Sequence, residues 1–204
     1  IPAILQCWYP GAQGGKAIAR ILFGEENPQG KLPITFYKTT EELPPFTDYR
    51  MKGRTYRYME NEALYPFGYG LSYTKFSYAN TVVDKTAITK EGVTIKTMVK
   101  NSGDFAGVET VQVYVKIKKD GAPNHQLKGI KKVNLNAGEE KEITIHLPVE
   151  AFALYDEEGA LRLNKGDVVV FLGGQGPDTR SISLTGLETT QLYLSIKEDI
   201  ILEK

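Results

Sequence analysis

The sequence contains few cysteine and histidine residues, the side chains that most often bind metals or act as nucleophiles and bases. One cysteine and two histidines occur in the whole chain, and the histidines, His125 and His146, are far apart. A lone cysteine rules out an internal disulfide and a multi-cysteine zinc site, and two distant histidines leave little for a histidine-rich metal centre. We therefore expect no metal site and no cofactor.

Arginine and tyrosine alternate in one short segment that could face a ligand. Tyr56 and Tyr58, which follow Arg54, would share one face of this segment if it were extended, while Arg57 would point away. Loops between domains often line clefts, so a ligand-facing role is one interpretation, although the strap described next is the one we favour. The alternative is a strap whose tyrosine rings pack on a neighbouring domain and whose arginines pair with carboxylates.

Trp8 is the other candidate aromatic, and it precedes a Pro-Gly turn. An indole face can stack on a flat ring of a ligand, such as the C–H face of a pyranose. The alternative is a buried tryptophan that closes a strand, because tryptophan is often largely buried with its N–H bonded to the backbone. The sequence favours the buried tryptophan, and sugar stacking is kept as the second interpretation.

Carboxylates cluster at Asp156-Glu157-Glu158, which suggests a calcium site or paired acid–base groups. Gly159 follows directly, and the triplet lies between two strand-like runs. This pattern favours a solvated turn. His146 is expected on the exposed face of a strand, and His125 in an exposed surface loop.

Composition excludes several classes of partner. The 204 residues carry 25 basic and 25 acidic side chains, for a net charge of +0. Nucleic acids and anionic membranes are held mainly by excess basic charge, so we expect neither as a partner. The chain has no apolar run of about 18 residues and no basic start typical of a signal peptide. Cytoplasmic and secreted locations both stay open.

The second part of the chain alternates apolar and polar residues between turn signals, as β-strands do. The expected strands lie at 93–100, 111–118, 143–147, 168–172, 182–184 and 192–196. This spacing is typical of an immunoglobulin or fibronectin β-sandwich. Because the Cys…Trp…Cys pattern of antibody domains is missing, we predict the fibronectin type III-like variant over residues 76–204.

The first part does not look like a complete domain. Residues 1–37 predict a strand–helix–strand unit, with a helix that starts near Gly14 and ends near Gly24. Such a unit cannot bury both faces of its strands alone. Residues 38–75 show little periodicity in hydrophobicity but are rich in aromatics. We therefore expect an extended linker that packs on another surface of the protein. The fold class is therefore mainly β, preceded by an incomplete α/β segment and this linker.

Three stretches resemble glycoside hydrolase family 3, in the order in which that family has them: residues 3–36, with Trp8-Tyr9-Pro10-Gly11 and Gly30-Lys31-Leu32-Pro33; residues 64–76, with Leu64-Tyr65-Pro66-Phe67-Gly68; and residues 99–115, with Val99-Lys100-Asn101-Ser102-Gly103. The first resembles the end of the family's α/β sandwich domain. The other two resemble the entry and the core strands of its fibronectin type III-like domain.

The resemblance implies the C-terminal part of a retaining β-glycosidase of β-glucosidase or β-xylosidase type, acting on terminal non-reducing sugars. Its partners would be the N-terminal barrel and α/β part of the same enzyme and a glycoside substrate. The family's nucleophile and acid/base match no residue here, so we expect no catalytic residue and no activity from this chain alone. The candidate substrate-binding residues are Arg54, Tyr56, Tyr58 and Trp8. The alternative function is a stand-alone carbohydrate-binding or adhesion module.

Overall fold

A computed structural model describes residues 3–203. From residue 3 to residue 75 the named elements are short helices: α1 (Gly14–Leu22), a 3-10 turn (Thr40–Glu42) and α2 (Thr55–Tyr58). The expected helix is confirmed, and it ends as its glycine indicates. The N–H of Phe23 bonds to the carbonyl of Ala19, and Gly24 follows with a φ of +76°, the left-handed conformation that glycine adopts readily.

The strands expected on both sides of α1 are not formed in the described residues. Residues 3–9 carry no strand, and in residues 32–37 only Phe36 makes an isolated bridge, with Tyr65. A strand needs a neighbour for its backbone N–H and C=O groups, and residues 3–203 provide no ladder for residues 3–9. Residues 32–37 bond to residues 64–69 only through the backbone groups of Leu32 and Phe36, which is too few contacts for a regular strand. Among the described residues, helix α1 therefore has no flanking β-strands to pack against.

The remaining residues form an antiparallel β-sandwich. The strands and helix are β1 (Phe76–Val83), β2 (Val93–Asn101), β3 (Gly107–Ile117), β4 (Gln126–Leu135), β5 (Glu140–Leu147), β6 (Leu154–Tyr155), β7 (Leu161–Leu163), β8 (Gly166–Gly173), α3 (Thr179–Thr185), β9 (Thr190–Ile196) and β10 (Ile200–Glu203). One sheet has the order β1-β2-β5, the facing sheet has β4-β3-β8-β9, and a small sheet has β10-β7-β6. The prediction of a mainly β fold with a fibronectin-like sandwich is confirmed.

The core lies between the two larger sheets. Val93, Ile95 and Val99 of β2 face Val111, Val113 and Val115 of β3, and all six are at most 1% exposed. The alternation read from the sequence therefore predicted which face of these strands is buried. Burial of a Val or Ile side chain stabilises the fold by about 1.5–3 kcal/mol.

One expected strand is a helix instead. Ile182 and Leu184 belong to α3, where the Asp178 side chain accepts a hydrogen bond from the backbone N–H of Ser181 at 2.8 Å. This is an N-cap, and Gly186 ends the helix with a φ of +71°. Two apolar residues two positions apart fit the strand period but are too short a pattern to establish a strand, so the cap and the glycine decide the structure.

Strand β3 is buried on both faces, although the sequence predicts a polar outer face. Gln112 and Tyr114 point away from the core, yet they are 1% and 0% exposed. Residues 27–68 cover them: the Gln112 amide donates to the Gly68 carbonyl at 2.9 Å, and Thr110 donates to the Gln29 carbonyl at 3.2 Å. The aromatic linker therefore lies on the outer face of the four-stranded sheet.

Candidate functional site

The linker, residues 38–75, is called the strap below, and Tyr56 is its main contact with the sandwich. The Tyr56 ring stacks on Phe67 at 4.2 Å between centroids, with planes 10° apart. It also meets Tyr114 edge to face at 6.2 Å. Offset-stacked and edge-to-face pairs are the geometries that aromatic rings prefer. The Tyr56 ring is thus held from two sides.

Hydrogen bonds fix Tyr56 as well. Its hydroxyl accepts a hydrogen bond from the backbone N–H of Leu127 at 3.1 Å, and its own N–H donates to the Thr35 hydroxyl at 3.1 Å. Nearby, Asn124 donates from its backbone to the Arg57 carbonyl at 2.7 Å. The strap is therefore joined to the loop before β4 by backbone as well as side-chain bonds.

Arg54 is engaged within the strap itself. Its guanidinium donates to the backbone carbonyls of Asp48, Arg50 and Pro45, at 2.5, 3.2 and 3.3 Å. The carboxylate of Asp48 pairs with Arg50 instead, at 2.6 Å, and the hydrogen bond from that side chain lowers the pKa of Asp48. Arg54 thus shapes residues 45–54 through carbonyls rather than through the carboxylate pairing considered for the strap.

Tyr58 and Trp8, the other two candidates, are less enclosed. Tyr58 is half-buried, and α2 replaces the extended conformation in which it would share a face with Tyr56. Trp8 is 48% exposed, has a φ of +50°, and tilts against Phe36 with centroids 6.5 Å apart. The structure therefore gathers Tyr56 and Arg54 into the strap, while Trp8 lies apart from them.

His125 is not in an exposed surface loop, as the sequence suggested, but 8% exposed. Its imidazole lies between Tyr56 and Tyr114, with centroids 5.2 and 5.3 Å away. Burial is the largest cause that lowers the pKa of His125, to about 4, so the ring is neutral at pH 7. The expectation was wrong because the strap covers this loop. His146 is exposed, as expected.

A cleft opens beside His125, between the strap and the outer face of the four-stranded sheet. Its volume is about 390 Å³, and we call it the strap–sandwich cleft. The walls come from the strap, from β3, β8 and the loop before β4, and from the start of α3. It is lined by Thr35, Tyr56, Met59, Glu60, Asn61, Glu62, Ala63, Pro66, Lys116, Asn124, His125, Phe171, Pro177, Asp178, Thr179 and Arg180.

A second group of buried polar side chains joins β1, β3 and the segment before the strap. The Tyr78 hydroxyl donates to the Glu109 carboxylate at 2.6 Å, and burial together with this carboxylate raises the pKa of Tyr78. Lys31 donates to the Gly70 carbonyl at 3.1 Å, and its pKa is lowered by burial, which outweighs the attraction of Glu109. These contacts add to the polar attachment of the front of the chain.

The acidic triplet forms a turn. One carboxylate oxygen of Asp156 accepts from the backbone N–H groups of Glu158 and Ala160, at 3.0 and 2.9 Å, and Arg162 pairs with the other. The backbone bond from Ala160 is the largest cause that lowers the pKa of Asp156. Within residues 3–203, no three His, Cys, Asp or Glu side chains are grouped as metal ligands, and no helix could span a membrane.

Apolar exposure is very uneven along the described residues. Residues 3–73, called the front segment below, hold 14 of the 21 exposed large apolar side chains but only 2 of the 30 buried apolar residues. On α1, Leu22 is 65% exposed, and the adjacent Phe23 is 83% exposed. Exposed apolar side chains at this density indicate a surface that another protein part covers.

Comparison with known proteins also divides the chain into a front segment and a sandwich. Residues 1–73 match the glycosyl hydrolase family 3 C-terminal domain, and residues 109–175 match a fibronectin type III-like domain. A xylan 1,4-β-xylosidase of Xylanibacter ruminicola is 40% identical over 90% of this chain, and a periplasmic β-glucosidase of Salmonella typhimurium is 35% identical over 84%. The chain spans 21% and 24% of their lengths.

A solved structure shares the arrangement described above. β-Glucosidase 3B of Thermotoga neapolitana, in complex with α-D-glucose, superposes with a TM-score of 0.83 at 29% identity, over 97% of this chain and 28% of that one. The fold and the two domain matches therefore place this chain with the C-terminal regions of glycoside hydrolases. The family is glycoside hydrolase family 3, represented by its C-terminal domain model over residues 1–73 and a fibronectin type III-like domain over residues 109–175.

Proposed function

We propose that this chain is the structural C-terminal region of a retaining β-glycosidase of β-glucosidase or β-xylosidase type. The complete enzyme would remove terminal, non-reducing β-linked sugars. The names of the relatives support this substrate class, because they are β-xylosidases and β-glucosidases. The partners would be the barrel and the remaining α/β part of the same enzyme.

The uneven exposure of apolar side chains along the chain is the main observation that supports the proposal. The front segment holds most of the exposed large apolar side chains, whereas the sandwich buries its own core. A face of this kind is stable in water when another protein surface covers it. We propose three parts: residues 1–37 complete the α/β domain, the strap at 38–75 crosses to the sandwich, and residues 76–204 form the sandwich that braces the assembly.

The proposal leaves no catalytic residue in this chain. Retaining glycosidases need two carboxyl groups about 5–5.5 Å apart, one as nucleophile and one as acid/base. The carboxylates described above are engaged in turns, ion pairs or buried hydrogen bonds, as Asp156, Asp48 and Glu109 show. Both catalytic carboxylates would therefore lie in the rest of the enzyme.

Substrate contact from this chain would come from Trp8 and Tyr58, whose side chains do not attach or shape the strap. Tyr56 and Arg54 are held by the strap and the sandwich, so we propose that they position the strap. Trp8, at 48% exposure, and the half-buried Tyr58 keep surface free for sugar once the enzyme is complete.

Hydrolysis of aryl β-glucoside and aryl β-xyloside tests the proposal. We expect no hydrolysis by the chain alone and hydrolysis when the barrel and the rest of the α/β domain are supplied. Trp8→Ala in the reconstituted enzyme is expected to raise KM, and Tyr9→Ala, a fully exposed neighbour, is the control. Hydrolysis by the isolated chain would show that the catalytic carboxylates are here and would overturn the proposal.

A further inference from the structure

His125 is 8% exposed, and it lines the strap–sandwich cleft. The rings of Tyr56 and Tyr114 lie beside its imidazole, with centroids 5.2 and 5.3 Å away. A neutral imidazole carries one N–H donor and one nitrogen acceptor. The ring therefore offers a donor and an acceptor to whatever enters the cleft.

The charges around the cleft balance. Glu62 is paired with Lys38 at 2.7 Å, which leaves Lys116 and Arg180 as cations and Glu60 and Asp178 as anions. Two charges of each sign give no net attraction for a phosphate or for a metal ion. The cleft therefore favours a neutral ligand.

The polar lining suits hydroxyl groups, which both donate and accept hydrogen bonds. The Arg180 guanidinium uses its Nε for the Leu64 carbonyl, at 3.3 Å, and the Asn124 amide nitrogen donates to the Met59 carbonyl at 2.9 Å. The other guanidinium N–H groups and the Asn124 carbonyl oxygen stay available. Half-buried Phe171 adds an apolar surface against which the C–H face of a sugar ring can lie.

We propose that the strap–sandwich cleft is a binding site for a short neutral carbohydrate, a mono- or disaccharide. Its volume of about 390 Å³ falls within the ~300–1,000 Å³ range of small-ligand sites. His125, Asn124 and Arg180 supply the polar contacts and Phe171 the apolar one. The site is independent of the proposed catalytic role, because all of its residues belong to this chain.

Titration of the full 204-residue chain with xylobiose and with cellobiose, followed by amide and imidazole NMR shifts, tests the site. We expect saturable shifts at His125 and the cleft residues at millimolar sugar. Thr179→Trp, at the exposed rim, is expected to fill the cleft and raise Kd at least about tenfold, the equivalent of ~1.4 kcal/mol. Ser183→Trp is the matched control, because Ser183 is exposed on the same helix but does not line the cleft.

A second pair of variants separates the cleft from nonspecific binding. Phe171→Ala removes the apolar contact from the cleft and is expected to weaken binding several-fold, whereas Lys96→Ala, on the opposite sheet, leaves it unchanged. Absence of saturable shifts, or unchanged affinity in Thr179→Trp, would overturn the proposal. Saturable binding of inorganic phosphate at the same residues would overturn it too, because it would show an anion site.

Discussion

At the scale of single residues, the strap is held by side chains that the sequence singles out for another reason. Tyr56 and Arg54 stand out as ligand-binding candidates. In the structure, however, the ring and hydroxyl of Tyr56 attach the strap to the sandwich, and the guanidinium of Arg54 shapes the strap. The types of these residues are visible in the sequence. Their partners are not, because Tyr56 meets Tyr114 and Leu127 across long stretches of chain.

Replacement of Tyr56 by Phe tests its role in attaching the strap. The change keeps the stacked ring but leaves the Leu127 N–H without its acceptor. We expect the free energy of unfolding to fall by about 1–3 kcal/mol, the usual cost of an unsatisfied buried donor. Chemical denaturation measures it. Tyr58→Phe, which removes a hydroxyl from a half-buried ring of the same helix, should have little effect; equal losses in the two variants would contradict the account.

The pH dependence of stability tests the burial of His125. Its pKa is about 4 in the folded chain against 6.5 for an ordinary histidine, so between these values the unfolded chain binds a proton that the folded chain does not. Unfolding free energy should therefore fall as pH decreases from 6.5 to 4, by about 3 kcal/mol from this group. His125→Gln should lose this part of the slope, and His146→Gln, on the exposed histidine of β5, should keep it. An identical slope in His125→Gln and the unaltered chain would refute the assignment.

At the scale of secondary-structure elements, regular alternation predicted the strands with one buried face. β2, β5 and β8 were expected from their sequence, and their core residues lie where the period of two puts them. β4 was missed, because its burial is irregular and its register with β3 shifts near Val113. α3 was predicted as a strand, because only the capping contacts of Asp178 distinguish the two structures there.

The strap buries the face of β3 that the sequence predicts to be exposed. The sequence of β3 predicts one apolar and one polar face, but Gln112 and Tyr114 are buried by the strap. Amide and phenol groups can be buried here because each bonds: Tyr114 donates to Gln112, at 2.6 Å, and Gln112 donates to the Gly68 carbonyl. No local sequence pattern shows which segment provides that cover.

Gly68 tests the close approach of the strap to β3. A Cβ at this position would lie 2.2 Å from the Tyr114 hydroxyl and 2.4 Å from the Gln112 side-chain oxygen, and φ is +80°. Gly68→Ala is therefore expected to lower the unfolding free energy by about 3 kcal/mol or more, through backbone strain and broken hydrogen bonds. Gly121→Ala, with a φ of +75° and open space, isolates the backbone cost of about 1–2 kcal/mol. Equal midpoint shifts in thermal denaturation would contradict the close packing.

At the scale of the whole molecule, the sandwich buries its own core, whereas the front segment exposes most of its large apolar side chains. The sequence predicted this difference, because a helix with two flanking apolar stretches cannot bury them by itself. It did not predict that residues 3–9 would lack a strand partner, or that residues 32–36 would bond to residues 64–69 of the strap.

Hydrogen–deuterium exchange of the front segment tests the central claim most directly. We expect the amides of α1 and residues 3–13 to exchange rapidly in the isolated chain and to become protected when the barrel and the rest of the α/β domain are added. The amides of β3 and β8 should be protected to the same extent in both, as the internal control. Equal protection of α1 with and without the added domains would show that the front segment is complete by itself, and would contradict the account.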